Sequence, residues 1–440
     1  MIMRDIATDP VPAVTAPPGR WRLSVAFVSQ YFFPEQFSNN AIVEDLVQRG
    51  HDVTVITGIP NYGRETFFDG YSNRERRDEI WRGANVHRAR SVARGKRKLQ
   101  LLLNYLTFPV TGSWTALRKM RNRPDVIFAS LLSPVFQALP AIILAWRHRV
   151  PLVYWVQDIW PESATHTLNL KTPLIVCPLG FISGWIMRRA DLVLVQSAAF
   201  PPMITRFGVP AERIRVLPNT APAMYRPLTP DQATDCGIPP APGQFTVMFA
   251  GNIGESQNFD TILATAEALR ERADLRWVIL GNGRDFDRVK ARVAELGLGD
   301  QFLLLGRHPE EIMPDFFAHA DALLVSLKEN DIFNLTVPYK VQCYMACGKP
   351  VLAALAGEGA RVVTLSGGGV AVAPGNVEAL KSAVLSLMVM QPEARAEMGR
   401  AARAFYDANY RRDVVYDQLD SWLTEAAHAG RKGPPINAAS

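Results

Sequence analysis

The sequence predicts an α/β protein built from two Rossmann-like, doubly wound domains facing across a cleft. Three observations carry that expectation. At 440 residues the chain exceeds the roughly 250–300 residues at which a single core stops growing, so two domains are the default. Short β-branched runs alternate with longer helical stretches, the pattern of a parallel sheet covered by helices on both faces. The alternation also occurs twice, on either side of residues 218–243. There Pro218, Pro222, Pro227, Pro230, Pro239, Pro240 and Pro242 interrupt a segment with few apolar residues, which reads as a linker.

In the first series the strand candidates are "SVAFVS" (24–29), "DVTVIT" (52–57), "DVIFAS" (125–130), "PLVYWV" (151–156) and "DLVLVQ" (191–196), with helices such as 39–49 and 134–147 between them. The second series holds "FTVMFA" (245–250), "LRWVIL" (275–280), "FLLL" (302–305), "ALLVS" (322–326) and "VLAA" (351–354). The expected division is a disordered extension over 1–20, a first domain over 21–217, the linker, and a second domain over 244–410. A helix over 411–429 should pack back on the first domain, followed by a tail over 430–440.

Composition excludes the extremes. Hydrophobic content of 48% and charged content of 20% describe an ordinary globular chain. Four cysteines without a CxxC pair argue for a reducing compartment and against a disulfide framework or structural zinc, so the expected location is cytoplasmic. The net charge of +6 is unevenly spread: fourteen Lys and Arg fall between Arg74 and Arg123, flanking the uncharged run 99–117. That run contains Pro109, Gly112 and several polar groups, which suit a membrane-spanning helix poorly. Two readings remain, an in-plane segment at an anionic bilayer surface or a buried helix with a solvated basic face. No aromatic stacking set accompanies the charge, so nucleic acid is not an expected partner.

In doubly wound folds ligands bind beyond the carboxyl ends of the strands, so the candidate site residues are those just after each strand. After 24–29 come Ser38, Asn39 and Asn40, the first two placed to cap the next helix. After 151–156 comes "QDIWPES" with Asp158. After 245–250 comes "GNIGESQNFD", with Gly251, Asn252, Gly254 and Gln257, and after 275–280 comes "GNGRDFD", with Gly281, Gly283 and Arg284. Glycines there let a main chain approach a ligand closely.

After 322–326, "LKENDIFNLTVPYK" feeds a short helix whose amino end, expected over Thr336 to Lys340, is an anion site in outline. Lys340 opposes the helix dipole by about 0.3–1 kcal/mol. A diphosphate reverses the balance, because a unit charge pair at about 4 Å is worth about 4 kcal/mol at an effective dielectric near 20. The "DFD" of Asp285 to Asp287 copies a metal-binding DxD, but its place at the start of a helix favours capping and solvated charge. Cys343 and Cys347 read as small buried residues, with no ligand partners at metal-binding spacing.

"RGHDVTVITGIPNY", "WVQDIWPES", "IRVLPNT", "FAGNIGESQNFD" and "PYKVQCYMACGKPV" together resemble the GT-B retaining glycosyltransferases of family four. The likeness is strongest to the branch that builds bacterial surface polysaccharides, including colanic acid and L-fucosamine-type transferases, and it spans about residues 23–425. The resemblance implies a nucleotide-diphosphate sugar (UDP- or GDP-linked) in the second domain and a polyprenyl-diphosphate-linked or other saccharide acceptor in the first. It implies transfer with retention and without a metal or other cofactor, by an enzyme peripheral to the cytoplasmic face of the inner membrane. By the same resemblance, Asp158 and Lys340 are catalytic. Gly251, Asn252, Gly254, Gln257, Gly281, Arg284, Thr336, Val337, Pro338, Tyr339 and Gln342 contact the donor, and Ser38, Asn39 and Asn40 lie near the acceptor. The family's pair of glutamates falls here at Leu335 and Cys343, and its basic diphosphate pair at Asn252 and Gln257. Gln342 is the expected substitute on the ribose, and Lys340, Lys328, Arg284 and main-chain amides the expected partners of the diphosphate. An epimerase or hydrolase of the same shape, or an inactive partner in a polysaccharide assembly complex, are the alternatives.

Overall fold

The computed structural model describes residues 21–162 and 172–432. The extension expected over 1–20 lies outside the described residues. So does the tail beyond 432; the final helix, Arg412–Lys432, continues past the expected end at 429.

The chain divides into two compact units, residues 1–217 with 416–440, and residues 218–415. In the first unit the strands are β1 (Ser24–Val28), β2 (Asp52–Gly58), β3 (Asp78–Trp81), β4 (Ala84–Ala89), β5 (Val126–Leu131), β6 (Leu152–Val156), β7 (Leu192–Val195) and β8 (Ile214–Val216). They form one eight-stranded sheet in the order β3-β4-β2-β1-β5-β6-β7-β8. Every pair is parallel except β3–β4. β5, β6 and β7 are buried along their whole length, which is why they read as continuous apolar runs rather than alternating ones.

The second unit holds β9 (Phe245–Ala250), β10 (Leu275–Leu280), β11 (Phe302–Gly306), β12 (Ala322–Ser326), β13 (Val351–Ala354) and β14 (Gly369–Val372). These form an all-parallel sheet ordered β11-β10-β9-β12-β13-β14, the arrangement of a Rossmann sheet. Alternate residues serve its two faces. Met248, Val278, Leu323 and Val325 join one core, and Val247, Phe249, Ile279 and Leu324 join the other. Both units therefore have the expected α/β architecture.

All ten expected strands are present to within one residue at either end. β3, β4, β8 and β14 were not expected. The β3–β4 hairpin turns through Arg82 (φ 46°) and Gly83 (φ 88°), two consecutive left-handed residues as a tight hairpin requires, but Asp78, Glu79 and the buried Arg88 hide the apolar alternation. The proline-rich stretch is not a free linker. Ala221 and Tyr225 are buried in the second unit's core, and the Tyr406 hydroxyl donates to Ala221 O at 3.4 Å.

Residues 99–117 form the middle of one helix, Lys98–Lys119, which runs through Pro109. Asn104, Phe108 and Ala116 are fully buried, while Leu99, Leu106, Val110 and Trp114 are 47–71% exposed. The helix thus has one buried face and one exposed apolar face. Among the described residues no helix is long and apolar enough to cross a membrane.

Candidate active site

Each sheet reverses its strand order at one point, between β1 and β5 in the first unit and between β9 and β12 in the second. Loops diverge there and leave room for a ligand beyond the carboxyl ends.

In the first unit that edge is organised by buried polar side chains. Gln30 N donates to Gln137 Oε1 at 2.9 Å, and Gln30 Nε2 donates to Asn104 Oδ1 at 3.1 Å. Asn104 Nδ2 in turn donates to Asn61 Oδ1 (3.1 Å) and Val92 O (2.7 Å). Glu35 accepts three backbone bonds, from Asn61 N and Tyr62 N at 2.7 Å and from Phe32 N at 3.1 Å. Burial nevertheless raises its carboxyl pKa above the ordinary value. Three loops are tied together by these contacts.

Asp158, after β6, accepts from Ser133 N (2.9 Å) and Ser133 Oγ (2.8 Å), and Trp160 Nε1 donates to the same Ser133 Oγ at 3.0 Å. Burial raises the Asp158 pKa against the opposing effect of those bonds. The Tyr31 hydroxyl donates to Ser133 O at 3.1 Å, so the loops after β1, β5 and β6 meet at Ser133.

The expected acceptor residues are placed differently from the sequence reading. Phe37, not Ser38 or Asn39, is the N-cap of helix Ser38–Gln48, and no side chain caps it. Asn39 is 1% exposed, with Nδ2 donating to Ser29 Oγ and Tyr31 O, both at 3.0 Å. It supports the loop from inside and offers no surface to a substrate. Asn40 Nδ2 donates to Glu35 O at 2.7 Å.

The second edge is built from main chain. Gly251 N donates to Leu280 O at 2.9 Å, Ile253 N to Asn282 O at 2.9 Å, and Lys328 N to Ser256 O at 2.8 Å. Gly251 (φ 133°) and Gly281 (φ 138°) occupy backbone conformations that side chains disfavour. A Cβ on Gly281 would stand 1.8 Å from Gly251 O, so the two turns stack without room for any other residue.

Helix Tyr339–Ala346 packs behind these turns. Its Tyr344 hydroxyl sits 3.1 Å from Ala250 N and 3.3 Å from Ala250 O, which fixes the end of β9. One turn earlier, Lys340 lies across Gly251: a Cβ there would be 2.5 Å from Lys340 Cε and 2.8 Å from Nζ. The Nζ rests 3.7 Å from the Phe249 ring centroid, a favourable cation–π contact. Burial alone pushes the Lys340 pKa down to about 7. A cation held this way is stabilised by any anion that enters.

Several expected donor contacts move. The amino end begins at Tyr339 rather than Thr336, whose N and Oγ1 both donate to Phe333 O at 3.1 Å. Val337 is 7% exposed and Tyr339 42% exposed, the latter with its hydroxyl 3.3 Å from Glu310 Oε1. Pro338 is the N-cap. Gln342 is 1% exposed and its Oε1 has no partner, so it does not present its amide to a ribose as expected. Asn252 Nδ2 donates to Gln257 Oε1 at 3.4 Å, joining the two amides at the positions of the family's basic pair. Gly254 is buried beside them. Lys328 pairs with Glu255 at 3.1 Å, which partly compensates its charge, while Arg284 is exposed.

Asp285 precedes helix Phe286–Glu295 but makes no capping bond, pairing instead with Arg288 at 3.1 Å. Cys343 and Cys347 are buried, as their apolar setting suggests. The sequence reading missed Glu35, Asn61, Asn104 and Tyr344. Only Asn104 carried a signal, a polar residue inside an otherwise apolar run.

Residues 38–220 match the family profile described as a glycosyl transferase 4-like domain, and residues 237–405 match the one described as glycosyl transferases group 1. The chain belongs to glycosyltransferase family four. Its two Rossmann-like units are those of the GT-B fold, and solved structures share that fold. A sucrose-phosphate synthase from Thermosynechococcus elongatus superposes with a TM-score of 0.69 at 16% identity, covering 93% of this chain and 100% of that one. The Anabaena protein Alr3699/HepE, determined in complex with UDP and glucose, gives 0.63 at 17% identity, covering 92% and 100%. Among curated sequences, the putative colanic acid biosynthesis glycosyl transferase WcaI of Escherichia coli K12 is 24% identical over 392 residues, covering 86% of this chain and 94% of WcaI.

Proposed function

We propose that this family-four enzyme transfers a sugar from a UDP- or GDP-linked donor, held by its second unit, to a polyprenyl-diphosphate-linked or other saccharide acceptor, held by its first. The pathway is the synthesis of a bacterial surface polysaccharide, on the cytoplasmic face of the inner membrane. One observation carries this reading: Lys340, desolvated to a pKa of about 7 and laid across the Gly251 turn, at the strand-order reversal where such sheets bind ligands. The likeness to WcaI supports the polysaccharide assignment, and the UDP complex of HepE supports the nucleotide.

In the proposed reaction the acceptor hydroxyl bonds to the anomeric carbon as the bond from that carbon to the diphosphate oxygen breaks. The hydroxyl proton passes to the departing diphosphate on the same face of the sugar, giving retention without a metal or other cofactor. Protonated Lys340 and the first backbone amides of helix Tyr339–Ala346 stabilise the charge that develops on the leaving group. Asp158 orients the acceptor hydroxyl. Neither Leu335 nor Cys343 replaces the family's glutamates, so the leaving group depends on Lys340 more than it does where those acids are present.

The test is to incubate the full chain with membranes and a panel of radiolabelled nucleotide sugars. Label from one donor should move into organic solvent. Release of free sugar without lipid would favour the hydrolase alternative, and binding of no nucleotide sugar by calorimetry would favour the inactive partner.

A further inference from the structure

Away from both strand-end edges, a hollow of about 1100 Å³ lies in the first unit between the β3–β4 hairpin and the last turns of helix Lys98–Lys119. Five lining residues are cationic, Arg77, Arg90, Arg118, Lys119 and Arg121, against one acid, Asp78. That acid is already engaged: Lys119 Nζ lies 2.9 Å from its Oδ2 and His87 Nδ1 2.6 Å from its Oδ1. Arg77 Nε donates to Arg88 O at 3.1 Å, and the Arg118 guanidinium stacks 5.4 Å from the Trp114 ring centroid. Among the ion pairs formed by described residues, none satisfies Arg77, Arg90, Arg118 or Arg121. Four arginines without an ion-pair partner among the described residues therefore line one hollow.

The same helix carries an apolar row into that hollow. Leu99, Leu103, Leu106, Val110 and Trp114 are 66%, 43%, 47%, 71% and 62% exposed. Their spacing of three and four residues puts them on one face, and the last two also line the hollow. An apolar row by itself would suit many partners. A row that ends in arginines matches the profile of a bilayer, where hydrocarbon gives way to phosphate within a few ångströms.

We infer that this hollow seats the phosphate headgroup of an anionic membrane lipid while the adjoining row lies in the headgroup–acyl boundary. The inference rests on the membrane-surface reading above and adds a specific seat to it. Guanidinium groups suit the ligand because their fork of donors matches phosphate oxygens in pairs. The seat lies at the edge of the sheet formed by β3 and β4, so a lipid held there leaves the β1–β5 edge open to an acceptor.

Flotation of the full chain with vesicles of phosphatidylcholine, with and without phosphatidylglycerol, tests both levels. The triple variant Arg90→Gln/Arg118→Gln/Arg121→Gln alters three exposed side chains and should keep its circular dichroism. Its partitioning onto phosphatidylglycerol vesicles should fall on the order of 100-fold, about fivefold for each arginine removed. A control triple, Arg74→Gln/Lys96→Gln/Arg97→Gln, neutralises exposed basic residues outside the hollow and should fall far less. Equal loss in the two triples would mean diffuse attraction and would overturn the seat while leaving the membrane reading intact. Val110→Ser/Trp114→Ser should weaken binding to both vesicle types. Failure of the unaltered chain to bind any vesicle would overturn the membrane reading itself.

Discussion

At the carboxyl edge of the first sheet, side chains set the shape: Gln30, Glu35, Asn61, Asn104 and Gln137 knit the loops together from residues up to 107 positions apart. At the same edge of the second sheet, main chain does that work, through Gly251, Gly281 and Ile253, with Lys340 as the cation laid over them. On the proposed function, the contrast follows from what each edge would hold. A diphosphate is small, highly charged and best met by amides at close approach, which glycine permits. A saccharide acceptor needs a particular contour, which a locked set of larger side chains provides. The two edges should therefore fail differently when altered.

The largest effect is expected at Gly281. Gly281→Ala sets a Cβ 1.8 Å from Gly251 O at a φ of 138°, so strain and overpacking together should cost about 3 kcal/mol or more. A lowered thermal midpoint with loss of nucleotide binding is the expected result; an unchanged midpoint would show that the turns are not as closely stacked as described. Next is Lys340→Ala, which should reduce turnover at least tenfold, and on the order of 10² if the lysine acts as a leaving-group stabiliser, with the thermal midpoint maintained or raised. Near-normal turnover would remove Lys340 from the mechanism.

Glu35→Gln sharpens the contrast from the other side. The amide cannot accept all three backbone bonds, and an unmet buried donor costs about 1–3 kcal/mol. Acceptor KM should rise while nucleotide affinity, measured by calorimetry, stays constant. A matching loss of nucleotide affinity would merge the two edges into one cooperative site. Lys328→Ala should be the mildest change, because its partner Glu255 is exposed and such surface pairs contribute roughly 0–1 kcal/mol.

The lysine also gives the second edge a pH signature. Its folded pKa of about 7 lies below the unfolded value of 10.5, so the unfolded chain binds more protons between those values. Stability of the unliganded chain should rise with pH across that window and lose this gain as pH falls to 7. Nucleotide binding should show the opposite trend. Above pH 7 a diphosphate must draw a proton onto Lys340, so affinity should fall by up to about tenfold per pH unit. Lys340→Ala should lack that fall.

The same contrast explains how much could be read from sequence. The close backbone approach at the second edge was legible because glycines directly after apolar strands announce it, and "PYK" announces the start of the helix that lays Lys340 over them. Nine of the ten expected strands are interior to their sheets, where burial on both faces favours apolar runs, and the tenth, β11, is an edge strand that is apolar all the same. β3 and β4 were not legible, since Asp78 and Glu79 in the edge strand and the fully buried Arg88 in its neighbour break the apolar alternation that marks a strand. Glu35, Asn61 and Asn104 escaped because their meaning lies in partners far along the chain, and a lone polar residue signals nothing by itself. Asn39 and Gln342 misled for the complementary reason. Both are polar residues beside a site, yet both turn inward, and only packing decides that direction.

The most direct measurement of the central claim is a crystal structure of the full chain with a nucleoside diphosphate bound. Diphosphate oxygens are expected within about 2.7–3.2 Å of Lys340 Nζ, over the Gly251 turn. A nucleotide bound elsewhere, with Lys340 still resting on Phe249 and touching no phosphate, would contradict it.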